Sequence, residues 1–413
     1  LQRIQESVMC KKITIVKGIL LTLMCEGLEI NNHTCESVSQ KSMRNVASGV
    51  ENCSDLAEKS IETKCGLYMA ESAIPNSGLG MYTAVDIASG QKITSEIVIN
   101  LADYRKEDDI IDSYSWNEER TRSIHEAARV ESLIPGLGAL VNCHPGLINT
   151  QFSRPKTNSA GLHRYFDPGV GAFSNFHDFT VSASQHIQAG MEIFVDYGED
   201  YFVDVLENDW IHIPMEEDYE KGDNIIWMFW KTVHGQVDTA HAKLLWTFIR
   251  QLAAHNGRLL AALPSDPNDI PKAIKLGTAM LSVPNVVRTS EWLEKNGQCL
   301  DNIRPGQSTL EQAGRGAFAT RSLRMGDVIA PAPLLHIRRD DSVIKYAEEF
   351  PDGTTNFFYM NQLLLNYCFS HPRSSLLLYP YSPVVNYINH DGKEPNAFIR
   401  WSGRKYHKSE WLD

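Results

Sequence analysis

Two glycine pairs and two asparagines are the residues of this chain best placed by type and spacing to do chemistry. Gly78-Leu79-Gly80-Met81 is followed by Gly90, and Gly314-Arg315-Gly316-Ala317 by Gly326; the step from Gly80 to Gly90 equals that from Gly316 to Gly326. Asn142-Cys143-His144-Pro145 runs on to Asn149, and Asn389-His390-Asp391-Gly392 to Asn396, again with one shared step. Glycine lets a strand turn sharply or lie close against a ligand, and an asparagine amide both donates and accepts. The offset between the copies is slightly larger at the asparagines than at the glycines, so the second copy carries a short insertion in between. Shared spacing of this kind reads as a tandem array of two domains.

The elements that must hold these residues follow from local pattern. Each glycine set reads as strand, tight turn, strand. The first copy continues through Phe179-Thr180-Val181, an alternating strand, into Ile187-Gln188-Ala189-Gly190-Met191-Glu192-Ile193-Phe194-Val195-Asp196-Tyr197-Gly198. The step from Asn142 to Tyr197, taken from Asn389, would pass Asp413, so the second copy is expected to stop short of this element.

The ordered set, Gly-x-Gly, then Asn-His with a second Asn seven residues on, then Gly-x-Glu-Ile-x-x-Asp-Tyr-Gly, resembles the SET domain, the β-rich fold of protein lysine methyltransferases. The resemblance covers residues 65–202 and 300–413. It implies a mainly β fold with helical insertions (α+β), two SET-like units joined by a helical linker over 203–299, the second incomplete. It implies transfer of a methyl group from S-adenosylmethionine to a lysine amine of a protein or peptide. By position, Gly78, Gly80 and Met81 would lie against the cofactor, as would Gly314 and Gly316. Asn142 and Asn389 would contact it, as would the residue after each, His390 in the second copy. In the first copy that residue is Cys143, with His144 shifted by one, a departure from the family pattern. Asn149 and Asn396 would be structural. Tyr197 would line the lysine channel, with Tyr201 and Phe202 behind it. No cysteine occurs between Cys143 and Cys299, so the zinc segment that closes this site in many relatives is absent; Trp210, Trp227 or Trp230 would have to serve as the wall. No metal site is expected.

The same departures leave a second function class open, a non-catalytic SET-like module that binds a peptide or partner. A Cys143/His144 thiol hydrolase is disfavoured, because adjacent residues of one segment point in different directions.

Composition narrows the partners. Lys plus Arg number 39 against 51 Asp plus Glu, a formal charge of −12. Nucleic-acid recognition draws its affinity from clustered cations, so a direct nucleic-acid role is not expected, while basic peptides suit. The acidic run Glu216-Glu217-Asp218 with Glu220 reads as a solvated surface or, as the less favoured reading, a docking face for such a peptide. Hydrophobic residues are 43% of the chain, a globular composition. No uncharged apolar run of about 18 residues occurs, so no membrane span is expected. Oligomeric state is not legible.

Met9 to Gly27, within residues 1–30, has a short basic start and an apolar stretch over 13–25, the order of a secretory signal, although Lys17 interrupts it. The other reading is an ordinary amphipathic helix or strand. With a signal, the protein would be endomembrane or secreted; without one, nuclear or cytoplasmic. Asn32 and Asn52 open N-x-S/T triplets. Cys35, Cys53 and Cys65 fit disulfides better than metal, whereas Cys143, Cys299 and Cys368 read as isolated buried hydrophobes. Asp238-Thr239 predicts a helix start and Asn256-Gly257 a stop, with Leu244, Leu245, Phe248, Ile249 and Leu252 on one face, core-facing or, as the less favoured reading, partner-binding. Pro264 to Pro271 reads as a loop before the second domain, and Ser375 to Tyr381 as a buried strand after His371.

Overall fold

A computed structural model describes residues 20–25, 64–101, 111, 113–117, 131–153, 157, 160–163, 179–198, 201–202, 213–311, 313–337, 345–349, 353–359, 363–371 and 374–401. Asn32, Asn52, Cys35, Cys53 and Trp210 lie outside them. Strand β1 is Leu20–Cys25; then come β2 (Leu67–Glu71), β3 (Leu79–Thr83), β4 (Lys92–Glu96), β5 (Ile99–Leu101), β6 (Ser115–Asn117), β7 (Glu131–Leu133), β8 (Thr150–Ser153) and β9 (Phe179–Ala183). Six helices follow: α1 (Glu216–Val233), α2 (Thr239–Ala253), α3 (Gly257–Ala262), α4 (Ile270–Leu276), α5 (Thr278–Ser282) and α6 (Ser290–Asn296). The remaining strands are β10 (Gln298–Cys299), β11 (Ile303–Gln307), β12 (Arg315–Ala319), β13 (Val328–Ile337), β14 (Lys345–Glu349), β15 (Thr355–Tyr359), β16 (Phe369–Ser370), β17 (Leu377–Pro380) and β18 (Ala397–Trp401). The chain is thus mixed helix and small antiparallel sheets. Among the described residues no helix is long and apolar enough to cross a membrane.

The two glycine hairpins share a pattern of backbone bonds. In hairpin β2–β3, Leu67 faces Thr83 and the Ser72 amide donates to the Gly78 carbonyl at 2.9 Å. In hairpin β11–β12, Ile303 faces Ala319 and the Ser308 amide donates to the Gly314 carbonyl, also at 2.9 Å. All four positions shift by one common offset, the one that carries Gly78 onto Gly314. Gly78 and Gly314 have φ of 77° and 64°, and Gly90 and Gly326 of 78° and 92°, a region an L side chain enters only with strain. These glycines are fixed by their turns.

Some sheet pairings correspond as well. β4 pairs with β9 and β9 with β8, while β5 pairs with β7 and β7 with β6. In the second half the long β13 spans the equivalents of β4 and β5, and its far end meets β17, which pairs with β16. The place that β9 occupies in the first half is taken in the second by β1. Cys25 faces Ala397 as Ala183 faces Thr150, and Met24 faces Val328 as Ser182 faces Lys92. Both ladders even break register at the same point, between Thr22 and Met24 opposite β13 and between Lys92 and Thr94 opposite β9. The apolar run offered as a signal core therefore ends in a strand hydrogen-bonded on both sides.

Both halves share one core. Met81, Leu133, Val141 and Ile193 of the first pack in the same cluster as Leu335, Leu378, Tyr379 and Tyr381 of the second. Tyr379 and Tyr381 come from the expected buried strand and its end.

Four local expectations are corrected. Asp238 does cap α2, accepting from the Ala240 and His241 amides, but Asn256 is the cap of α3, not a stop. The leucine stripe of α2 faces outward: Leu244, Leu245, Phe248 and Leu252 are 68, 43, 56 and 57% exposed. The larger apolar surface of Trp246 takes the inner side against Phe229, with its indole N–H on the Pro264 carbonyl at 3.1 Å. The Pro264–Pro271 stretch folds into a short 3-10 turn and the first residues of α4. Cys299 is not an isolated hydrophobe either; it is disulfide-bonded to Cys65.

If β1 completes the second sheet, Thr22→Pro, which removes a ladder donor at mid-strand, is expected to cut amide hydrogen-exchange protection at least tenfold in β13 and β18. Protection in β4 and β8 should stay unchanged in the same experiment.

Candidate functional site

The site is built around the dipeptide Val141-Asn142, which leaves a 3-10 turn (Gly136–Gly138) and enters the segment Asn142-Cys143-His144-Pro145. Asn142 is buried, and its Nδ2 donates to the Leu79 carbonyl at 3.0 Å, the middle residue of the first Gly-x-Gly. Tyr197 donates its hydroxyl to the neighbouring Val141 carbonyl at 2.7 Å. The Gly-x-Gly strand and the Asp-Tyr-Gly segment thus meet on adjacent peptide units. In the second half, Asn389 Nδ2 donates to the Arg315 carbonyl, again the middle residue of a Gly-x-Gly, at 2.6 Å. His390 is exposed.

Gly80 is glycine because of a residue that sequence reasoning passed over. A Cβ there would collide with Glu192 Oε1. Glu192 is fully buried and accepts from Ser72 Oγ at 2.7 Å, the Ala73 amide at 2.7 Å, the Tyr82 hydroxyl at 3.0 Å and Asn142 Nδ2 at 3.4 Å. Burial pushes its carboxyl above the usual range; the hydrogen bonds pull the other way. Its only signal was its place in Gly-x-Glu-Ile. The Asn149 side chain bridges the backbone of Glu192 and Phe194: Nδ2 donates to the Glu192 carbonyl at 3.0 Å and Oδ1 accepts from the Phe194 amide at 2.9 Å.

Tyr197 sits among aromatic rings. Trp116 and Tyr201 meet it edge-on with centroids at 5.9 and 4.9 Å, and Tyr201 packs against Phe202 at 5.2 Å. Burial drives the Tyr197 hydroxyl well above its ordinary pKa, with the neighbouring Tyr201 adding to the shift, so it stays a neutral donor. Trp116 was missed in the sequence; its indole N–H on the Gly138 carbonyl at 2.8 Å aims it at this cluster. The tryptophans expected as the wall are taken up elsewhere: Trp230 stacks on His234 at 3.9 Å, and Trp227 is exposed under Lys231.

Cys143 and His144 diverge, as alternation along an extended segment requires. Cys143 lies within electrostatic reach of Tyr197 and Tyr201. His144 turns to α1, its ring 5.4 Å from that of Tyr219 and its Nε2 3.3 Å from the Tyr219 hydroxyl. Burial lowers the His144 pKa to about 4. A thiol–imidazole pair is not assembled.

Two spaces adjoin these residues. A notch of about 10 Å³ is walled by Ser77, Leu79, Tyr114, Leu140, Asn142 and, from the second half, Tyr381. That is roughly the room one water needs. On the other side, a cleft of about 440 Å³ is lined by Pro145, Asp196, Gly198, Phe202, Glu216, Glu217, Glu220 and Arg258. The acidic run keeps Glu216, Glu217 and Glu220 exposed, as a solvated surface would, and these three also line this cleft beside the Asp-Tyr-Gly segment. Asp218 is its exception, buried and accepting from the Met215 amide at 3.1 Å to cap α1.

Gly78–Met81 and Asn142 are brought together by the Asn142–Leu79 bond, but the space beside them, about 10 Å³, is far too small for S-adenosylmethionine.

Because His144 binds its proton only near pH 4 when folded and near pH 6.5 when unfolded, the unfolded state binds more protons between those values, and stability falls as pH drops through that window. The upper bound is about 3 kcal/mol. Glu192, raised by burial, works in the opposite sense, losing stability as pH rises through its folded pKa. Urea midpoints from pH 7 to 4 should fall less in His144→Phe than in the parent chain.

No family model matches the chain, and no curated protein is similar to it. Among solved structures, a Plasmodium falciparum protein assigned as a histone methyltransferase is similar at 19% identity and a TM-score of 0.24, over 34% of this chain and 98% of that one. The methyltransferase domain of human PR domain-containing protein 2 is similar at 14% identity and a TM-score of 0.22, over 39% of this chain and 97% of that one.

Proposed function

We propose that the chain is a tandem of two SET-like units, over 65–202 and 300–413 with a helical linker over 203–299, and that the first is an S-adenosylmethionine-dependent protein-lysine N-methyltransferase. The observation that supports it best is the convergence on Val141-Asn142, where the Gly-x-Gly strand and the Tyr197 hydroxyl are held on adjacent peptide units. When bound, the cofactor supplies the electrophilic methyl group. The chain's own part is positioning and exclusion of water. Tyr197, Tyr201 and Trp116 form the apolar wall that a neutral lysine amine needs, since an unperturbed lysine, with a pKa of about 10.4, is otherwise protonated. Glu216, Glu217, Glu220 and Asp196 give the adjoining cleft the charge that draws a basic peptide. Gly314, Gly316, Asn389 and His390 would form a second cofactor cradle.

One observation favours the second reading, a non-catalytic module that holds a basic peptide. The notch beside Leu79 and Asn142 is closed by Tyr381, and Cys143 stands where the family pattern has histidine.

Calorimetric titration of S-adenosylmethionine into the full chain separates the two. Under the enzyme reading, binding is saturable, weakens at least tenfold in Asn142→Ala and strengthens in Tyr381→Ala, where the notch is unblocked. Absence of binding to both the folded parent and folded Tyr381→Ala would rule out catalysis in the first unit. A lysine-rich peptide should lose at least tenfold affinity at low salt on Glu216→Lys/Glu217→Lys/Glu220→Lys, measured by fluorescence anisotropy.

A further inference from the structure

A half-buried cluster of Cys65, Cys299, Asp301 and Arg321 ties the start of the first repeat to the start of the second and lies outside the site described above. The disulfide joins residues 234 apart, with Cα atoms 5.8 Å from one another. Asp301 Oδ1 lies 3.2 Å from Cys65 Sγ and 3.1 Å from Cys299 Sγ, and Asn302 Oδ1 3.4 Å from Cys299 Sγ. Arg321 Nη1 stands 3.7 Å from Cys299 Sγ, while its Nη2 donates to Asp301 Oδ1 at 2.9 Å. A disulfide carries no S–H and has no use for acceptors; oxygens at these distances are the partners of thiols. A guanidinium beside a sulphur is the partner of a thiolate. The backbone on either side is also held without the bond: the Leu300 amide donates to the Leu67 carbonyl and the Gly66 amide to Asp301 Oδ2, both at 2.9 Å.

The surroundings therefore satisfy the reduced pair as well as the bonded one. We propose that Cys65–Cys299 is a reversible thiol–disulfide site for a low-molecular-weight thiol of the glutathione class, not a fixed cross-link. The thiolate of that molecule attacks the Cys65 sulphur and the S–S bond breaks. Cys299 leaves as a thiolate facing Arg321 and takes up a proton. A second thiol then attacks the mixed disulfide at the small molecule's sulphur, freeing Cys65. In sum, one protein disulfide and two thiols give two cysteines and one small disulfide, a two-electron exchange. Reduction removes the covalent tie on β2, the hairpin partner of the strand that carries Leu79 and Gly80.

The test equilibrates the full chain in glutathione buffers of stepped ratio without denaturant, then maps positions 65 and 299 by differential alkylation and peptide mass. Both are expected to interconvert while circular dichroism stays unchanged. Asp301→Ala should shift the ratio at least fivefold toward disulfide, and Asp301→Asn, which keeps an acceptor oxygen, less. Arg321→Gln should slow reduction several-fold while Arg321→Lys does not. If Asp301→Ala fails to fold, the Arg321 rates carry the test. Thiols that appear only once urea unfolds the chain, or Arg321 variants that reduce at the parent rate, would overturn the proposal. So would tight uptake of one zinc ion at these residues by the reduced chain titrated with zinc alone, which would make this a metal site.

Discussion

The buried carboxylate of Glu192 is the constraint on which the first repeat depends. A buried carboxyl is costly unless hydrogen bonds replace its hydration, and here four donors converge on it. The loop after β2 supplies Ser72 and Ala73, β3 supplies Tyr82, and the asparagine segment supplies Asn142. Fixing one carboxyl therefore fixes the β2–β3 hairpin, the asparagine segment and the Glu192 segment, three stretches far apart in the chain, against one another. It also dictates the absence of a side chain at Gly80. The Glu192 amide donates to the Val286 carbonyl at 2.9 Å, so the same residue seats the end of the helical region against the site.

The two Gly-x-Gly strands are met by asparagines in different chemical settings. Each asparagine reaches the middle carbonyl of its Gly-x-Gly strand. In the first, the glutamate carboxylate stands beside the amide; in the second, the Ser308 hydroxyl stands 3.1 Å from Asn389 Nδ2. Ser308 is the positional counterpart of Ser72. A neutral hydroxyl gives the second cradle no charge-linked network, and Asn389 is exposed where Asn142 is buried. The halves also lean on each other: the Gly136 amide donates to the Tyr381 carbonyl at 2.7 Å, and the Val384 amide to Glu96 Oε2 at 3.2 Å.

What was legible in the sequence was local. Gly78, Gly90, Gly314 and Gly326 announce their turns because positive φ excludes most other residues, and equal spacing turned four turns into a repeat. Asn142 and Tyr197 could be picked out from motif order, and Asp238 from its own capping chemistry. What escaped required knowledge of distant partners. The stripe of Leu244, Leu245, Phe248 and Leu252 has the right period for a core face, yet Trp246 competes for the inside and wins on buried area. Cys299 looks solitary until strand pairing brings it to Cys65. The role of Glu192 depends on four donors scattered between Ser72 and Asn142, and Trp116 is aimed by the carbonyl of Gly138, beyond the following strand β7.

The central place of β1 bears on the order in which the molecule can form. Cys25, in the first strand, is paired with Ala397, in the last. At a synthesis rate of roughly 5–20 residues per second, β1 leaves the ribosome some tens of seconds before its second neighbour exists. The hairpin carrying Gly78 and Gly80 can close from adjacent sequence in that interval, whereas the second sheet must wait until β18 has been made. Until then a strand with two open edges is available to any other exposed edge nearby, including that of a neighbouring nascent copy.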